Sequence, residues 1–200
     1  MRARLTRYSV PSWGVGEVWT LGGVVLAHDF RFLADGESTG GSDGLRAHPD
    51  EGAQRPLSST LATISSRMGD DFVSSRNRGR SSAESVTPGT LVARLGAFLA
   101  GVDVPLGDVE LDLSWATSFQ RAVADALRGV SRGEVVTYGE LAAIAGYPGA
   151  ARATGTFCAQ NRFAFLVPCH RVVGAGGIGA YGTAGIAVKR RLLALEGVVL

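Results

Sequence analysis

The chain's densest run of reactive side chains is Pro168-Cys169-His170-Arg171-Val172-Val173. An apolar run, 163–167, precedes it and is long enough for a buried strand that Pro168 ends. A loop rich in glycine follows (Gly174, Gly176, Gly177, Gly179, Gly182, Gly185). A cysteine between a rigid strand and a pliable loop can be held at a pocket mouth. The thiolate is the nucleophile, and a free thiol ionises near pH ~8.5, so a histidine, an arginine or oriented amides must assist it at neutral pH. Neighbouring side chains of an extended chain point to opposite faces, so His170 reaches the thiol only through a bridging water. Glu196 can hold the other imidazole nitrogen if the last helix packs beside this loop. On its own, Cys169 reads as a small buried hydrophobe, as most lone cysteines do. Cys158, flanked by Phe157 and Ala159 with no histidine or acid near it in sequence, is assigned to packing.

Cys158 and Cys169 are the only cysteines in 200 residues, and the histidines are His28, His48 and His170. Two cysteines make neither a disulfide scaffold nor a four-cysteine zinc site. Their spacing to the histidines fits no zinc finger, so no metal is expected. The start, Met1-Arg2-Ala3-Arg4-Leu5-Thr6-Arg7, is basic, but no apolar signal segment follows before Pro11. No run approaches the ~18 residues of a membrane span. These features predict a cytoplasmic protein with reduced thiols and no membrane contact. The net charge is +2. Residues 131–200 hold seven basic against three acidic side chains, +4, which leaves −2 elsewhere. A positive C-terminal part suits a phosphate backbone, and it also suits an ordinary solvated face.

Several elements must position these residues. Residues 8–33 carry β-rich runs around a Leu21-Gly22-Gly23-Val24 turn, predicting a hairpin or short meander. Residues 35–86 are rich in Ser, Gly, Asp and Arg with Phe72 as the lone aromatic, predicting a mostly disordered insertion with a short helix at 57–68. Thr87-Pro88 can open a helix whose apolar face is Leu91, Val92, Leu95, Phe98 and Leu99, ended by Gly101. A second helix follows 114–118, with Phe119, Val123, Leu127 and Val130 at helical spacing. Thr137-Tyr138-Gly139-Glu140 is a capping box. It opens a short helix stopped by Gly146, and after the Tyr147-Pro148-Gly149 turn a helix rich in small residues spans 150–160. Helix, glycine turn, helix outlines a helix-turn-helix, although two packed helices with no DNA role are the commoner meaning of an isolated match. The last helix runs from about 186 to 196 and stops at Gly197.

These motifs, in this order and spacing, resemble the O6-alkylguanine-DNA alkyltransferases (methylated-DNA–protein-cysteine methyltransferases). Pro168-Cys169-His170-Arg171-Val172-Val173 is similar to their active-site signature. Gly133-Glu134-Val135-Val136-Thr137-Tyr138 resembles the segment ahead of their helix-turn-helix, and Ala150-Ala151-Arg152-Ala153 resembles their recognition helix. Asn161 resembles their hinge asparagine. Lys189, Leu192, Leu193 and Glu196-Gly197 resemble their last helix. The resemblance covers roughly residues 115–198. It implies an α/β (α+β) fold with two parts. Residues 1–113 form a small N-terminal β-rich domain with a helix and the 35–86 insertion. Residues 114–200 form a mainly helical domain with the helix-turn-helix and the cysteine loop.

The resemblance also implies a function. Cys169 would displace guanine from the alkyl group of O6-alkylguanine, with thymine of O4-alkylthymine as the further candidate leaving base, in a single-turnover SN2 reaction without cofactor. His170 would deprotonate it through water, with Glu196 orienting the ring. Tyr138 would donate to the base, and Asn161 would tie the helix-turn-helix to the active-site strand. The backbone carbonyls of Cys169 and Val172 would read the guanine amino group. The target atom lies inside the duplex, so the nucleotide must be flipped out. Arg152 would fill the gap, with Thr137, Ala151, Ala153 and Gly155 beside it against the minor groove of double-stranded DNA. A monomer located in the cytoplasm on the nucleoid, or in a nucleus, is implied. The family's Tyr-small-Gly-Gly loop is here Tyr181-Gly182-Thr183-Ala184-Gly185, one residue early, so Tyr181 or Thr183 lines the pocket. Arg162 follows Asn161 where proline is frequent, which loosens the hinge or adds a phosphate contact. A non-catalytic alkyl-lesion-binding protein is the alternative, although relatives of that kind replace the cysteine. A cysteine hydrolase or a plain helix-turn-helix regulator leaves Arg152 or Cys169 without a role.

Overall fold

Alternating inward and outward side chains build an antiparallel meander at the N-terminal end of the computed structural model, which describes residues 2–33, 47–48 and 87–200. Strands β1 (Arg4–Val10), β2 (Gly14–Leu21) and β3 (Val24–Phe32) pair in register, with Tyr8 opposite Gly16 and Val18 opposite His28. Strand β4 (Ala47–His48) pairs on the other side of β1, giving the order β3-β2-β1-β4. β1 starts four residues before the predicted β region. Arg7 stands on the less buried face, Arg4 is exposed at the strand's end, and Thr6, Tyr8 and Val10 turn inward, so a half-buried strand tolerates the charge. The remainder of the predicted insertion, including the helix at 57–68, lies outside the described residues.

Helix α1 (Pro88–Leu99) opens on Thr87, whose hydroxyl accepts from the Thr90 amide, and all five residues of its predicted apolar face are buried. Residues 102–113 do more than join two halves. Val25 donates to the Glu110 carbonyl at 2.9 Å and Asp112 donates back to Val25 at 2.8 Å, so this linker covers the free edge of β3. Helix α2 (Ser118–Arg128) and helix α3 (Tyr138–Ile144) are each held by a reciprocal capping box, Thr117 with Gln120 and Thr137 with Glu140. Gly146, at φ +84°, ends α3, and helix α4 (Ala151–Ala159) follows one tight turn later. Two-residue strands β5 (Val136–Thr137) and β6 (Val172–Val173) pair in parallel and bring the start of α3 beside the cysteine loop. Helix α5 (Gly185–Leu195) closes the chain.

The apolar run 163–167 is not the expected strand. Only Phe163 bridges to β3, opposite His28. The chain then turns through Phe165 at φ +65°, with Leu166 donating to Ala164 at 2.8 Å and Val167 to Phe163 at 2.9 Å. A left-handed backbone costs a phenylalanine roughly 1–2 kcal/mol. Burial of its ring is worth about as much or more: Phe165 packs against Phe30 at 5.3 Å, Phe98 at 5.4 Å and Phe32 at 6.0 Å. The turn thus trades backbone ease for an aromatic cluster joining β3, α1 and the segment before Cys169.

Candidate active site

Cys169 opens a single 3-10 turn, Cys169–Arg171, directly after that kink. It is half-buried at the mouth of a cavity of about 190 Å3 lined by Tyr138, Cys158, Asn161, Tyr181 and Thr183 among others, with Phe30 and Phe32 contributed by β3. Asn161, just beyond the end of α4, spans the kink. Its Oδ1 accepts from the Phe163 amide at 3.0 Å, and its Nδ2 donates to the Val167 carbonyl at 2.8 Å and approaches the Cys169 sulphur at 3.2 Å. Asn161 thus bonds the segment ahead of Cys169 and the thiol itself. Burial pushes the Cys169 thiol up, against the pull of Asn161, the Lys189 charge and the Tyr181 hydroxyl. The resting sulphur is protonated at neutral pH and needs a base.

His170 turns the other way, into the core, 6.0 Å from the Phe98 ring. It is 0% exposed. Its Nε2 meets Glu196 Oε1 at 2.9 Å. Arg171 forks onto the same carboxylate, Nε to Oε2 at 2.9 Å and a terminal nitrogen to Oε1 at 2.8 Å, and donates to the Val130 carbonyl at 2.6 Å. Burial opposes ionisation of Glu196, but the hydrogen bonds from His170 and Arg171 outweigh it and hold the carboxyl at about 2. Burial pushes His170 below the ordinary imidazole range, against the pull of Glu196. A carboxylate only accepts, so Nε2 carries the proton and Nδ1 holds a lone pair. Nδ1 is buried and has no hydrogen-bond partner among the described residues. His170 is thus a neutral base with its proton-accepting nitrogen available.

The glycine-rich loop is fastened by Lys189, the chain's single lysine. It lies on α5 and is fully buried, and its Nζ donates to the carbonyls of Val172 at 2.5 Å, Ile178 at 2.6 Å and Ala180 at 3.2 Å. The Val172 carbonyl is thereby polarised and keeps one lone pair for a further donor. Tyr181 is half-buried with its hydroxyl hydrogen-bonded to Cys169, and burial with the neighbouring sulphur pushes that phenol well above its ordinary value. Thr183 lines the same cavity but is exposed. Cys158 is not confined to helix packing. It shares the cavity wall with Cys169, and burial pushes its thiol up to about 12.

Tyr138, the first residue of α3, reaches over the cavity. Its hydroxyl donates to the Ala180 carbonyl at 3.5 Å, and burial pushes it above the usual phenol range. A Cβ on Gly155 would sit 3.9 Å from the Tyr138 ring, so Gly155 faces the site rather than solvent. Tyr138, Thr137, Ala151, Arg152 and Gly155 line a second, open groove, and Ala153 is exposed beside it. The Thr137 hydroxyl is engaged in capping, accepting from the Glu140 amide at 3.1 Å. Arg152 is exposed. Several cations of residues 131–200 are engaged by the protein itself, while Arg152 and Arg190 are exposed. Lys189 is buried and Arg171 is paired. Arg132 donates to three carbonyls, Arg162 lies 4.1 Å over Trp115, and Arg191 lies 3.7 Å over Trp13.

Sequence reasoning passed over Lys189 as part of the site and gave Arg171 no partner. A lysine in an arginine-rich stretch reads as surface charge, and only the docking of α5 against the loop distinguishes it. Among the described residues no group of three His, Cys, Asp or Glu side chains gathers as a metal set, and no helix is long and apolar enough to cross a membrane.

Fold and site together define a class: two-part α/β proteins in which a helix-turn-helix leads into a pocket cysteine backed by a His–Glu pair. Residues 118–198 match the family model described as 6-O-methylguanine DNA methyltransferase, DNA binding domain. A methylated-DNA–protein-cysteine methyltransferase of Salmonella typhimurium is 38% identical over 125 residues, 62% of this chain and 72% of that protein. One of Mycolicibacterium paratuberculosis is 48% identical over 106 residues, and the match spans 52% of this chain and 62% of that relative's length. The crystal structure of Mycobacterium tuberculosis O6-methylguanine methyltransferase superposes with a TM-score of 0.65 at 29% identity, covering 98% of this chain and 93% of that one. A structure of Mycobacterium tuberculosis OGT in complex with DNA superposes at 0.58, with the same identity and coverage. The chain belongs to the methylated-DNA–protein-cysteine methyltransferase family.

Proposed function

We propose that this chain is a DNA-repair protein that takes an O6-alkylguanine flipped out of duplex DNA and transfers the alkyl group to its own Cys169, once per molecule. The observation that carries this reading is the thiol held between Asn161 and Tyr181 at the cavity mouth, next in sequence to a neutral histidine paired with Glu196. The thiol proton passes through a water to His170 Nδ1, and the imidazolium formed is stabilised by Glu196. The sulphur forms a bond to the alkyl carbon, the carbon–O6 bond breaks, and its electron pair leaves on guanine. Tyr138, kept protonated by its raised pKa, donates as that charge develops. The proton lost by sulphur returns, in the net balance, to guanine. The thioether has no route to hydrolysis in this chemistry, so turnover stops there.

Duplex DNA would meet the open groove between Thr137 and Ala151, with Arg152 entering the stack in place of the flipped base. The relative described in complex with DNA supports DNA as the partner. The minor groove as the entry side, the monomer and the cytoplasm belong to the same proposal. The test is incubation with duplex DNA containing O6-methylguanine, followed by intact and peptide mass. A stoichiometric gain of one methylene on the Cys169 peptide, absent in Cys169→Ala, is expected. Tight lesion binding with an unchanged protein mass would instead support the non-catalytic alternative.

A further inference from the structure

Buried polar atoms of the N-terminal sheet converge on the segment just ahead of Cys169. Tyr8 and His28 are each 1% exposed. Tyr8 on β1 stands opposite Gly16 on β2, and a Cβ on Gly16 would lie 2.3 Å from the Tyr8 ring. The missing side chain lets the ring lie across β2 and reach β3. There the Tyr8 hydroxyl meets His28 Nε2 at 2.6 Å, and His28 Nδ1 meets the Ala164 carbonyl at 2.6 Å. The carbonyl only accepts, so Nδ1 carries the proton and Nε2 accepts from Tyr8. The His28 backbone grips the same segment, donating to the Arg162 carbonyl at 2.8 Å and accepting from the Ala164 amide at 3.1 Å. Arg162–Ala164 is thereby fixed between Asn161, which touches the sulphur, and Phe165, whose left-handed turn leads to Cys169.

We infer that His28 is a positioning residue for the transfer: its ring holds the Ala164 carbonyl so that the Asn161 amide stays on the Cys169 sulphur. The role rests on the alkyl-transfer chemistry proposed above and acts through Asn161. A residue that merely filled the sheet's inner face would need neither ring nitrogen. Burial pushes His28 down to about 4, so it is neutral at physiological pH and acts through the direction of its bonds rather than through charge. Without it the Ala164 carbonyl keeps only the Leu166 amide, so the Asn161 amide loosens from the sulphur and the thiolate loses a donor. Lys189, Tyr181, Tyr138, Cys158, His170 and Glu196, the other ionisable groups around Cys169, are untouched by a change at position 28.

The test uses the full chain and two readouts below all melting temperatures: the pH profile of Cys169 alkylation by iodoacetamide, read on the Cys169 peptide, and single-turnover methyl transfer. His28→Phe is expected to move the profile to higher pH and slow transfer about tenfold, the scale of a small misplacement. His28→Asn places an amide donor where Nδ1 stood. It is expected to restore both readouts even though its melting temperature stays lowered by the loss of Tyr8's partner. His28→Gln reaches toward Tyr8 but leaves the Ala164 carbonyl with the Leu166 amide alone, so it should behave as His28→Phe does and replaces that variant if it fails to fold. An unshifted profile in the Phe or Gln variant, or a shifted one in Asn, overturns the positioning role. If the wild-type protein takes no methyl group while the iodoacetamide profiles still separate as described, the transfer chemistry fails and the positioning role stands.

Discussion

His28 in the sheet and His170 in the cysteine loop are sealed to the same degree, and burial pushes both below the ordinary imidazole range. What separates them is the second nitrogen. His28 has both nitrogens occupied, by Tyr8 and the Ala164 carbonyl. His170 has one on Glu196 and one with no partner among the described residues. Among the described residues no carboxylate bonds the His28 ring, whereas His170 has one already ionised. A buried imidazole with both nitrogens bonded fixes geometry. One with a single bonded nitrogen and a counter-charge can take a proton. Burial and pKa direction alone do not distinguish a structural histidine from a base.

The largest expected effect tests that contrast directly. His170→Phe should slow single-turnover transfer about 10²–10⁴-fold, the range of a lost general base, while His28→Asn stays within a few-fold of wild type in rapid-quench assays. Equal losses would dissolve the distinction. Next comes Glu196→Gln, which leaves the half-buried Arg171 and the buried His170 without their carboxylate. Loss of one member of a buried pair costs about 3–5 kcal/mol, to be read from urea denaturation at pH 7.

Acid separates the two regions further. Folded His28 refuses a proton until about pH 4, whereas the unfolded side chain takes one near pH ~6.5. The unfolded state therefore binds more protons in that window, and stability falls as pH drops through it, by up to about 3 kcal/mol. Glu196, held at about 2, stabilises fully above its unfolded value near ~4.3. That contribution is lost as pH falls from there toward 2. Urea midpoints at pH 7, 5 and 3 should show both losses. His28→Phe removes the first and Glu196→Gln the second. The smallest expected effect is at Cys158. With its thiol near 12 it is a bystander, so Cys158→Ser should change transfer by less than about two-fold, and iodoacetamide should label Cys169 ahead of it.

Much of the frame was legible because it is written locally. Thr87 before Pro88, the Thr137–Glu140 capping box and Gly146 after α3 each specify a helix end from adjacent residues, and each stands where expected. The kink at Phe165 was not legible. Five apolar residues in a row carry no mark of a left-handed backbone, and the turn exists only because Phe30, Phe32 and Phe98 supply a place for the ring. Glu196 beside His170 could be named in advance because few acids stand in the last helix. Cys158 on the cavity wall and Lys189 inside the loop depend on how α4 and α5 dock, which helical spacing does not determine. Tyr8 and His28 read as ordinary strand residues, since their meeting requires Gly16 to leave its face of the sheet empty.

Lys189 has one more consequence. Every other cation of the chain is an arginine. With its single lysine sealed behind three carbonyls, the folded protein presents no side-chain amine to solvent. An acylating reagent directed at lysine would pass over folded molecules and mark position 189 only where α5 has left the loop. The extent of acylation at that one residue would count unfolded molecules in any sample, before or after the thiol has been consumed.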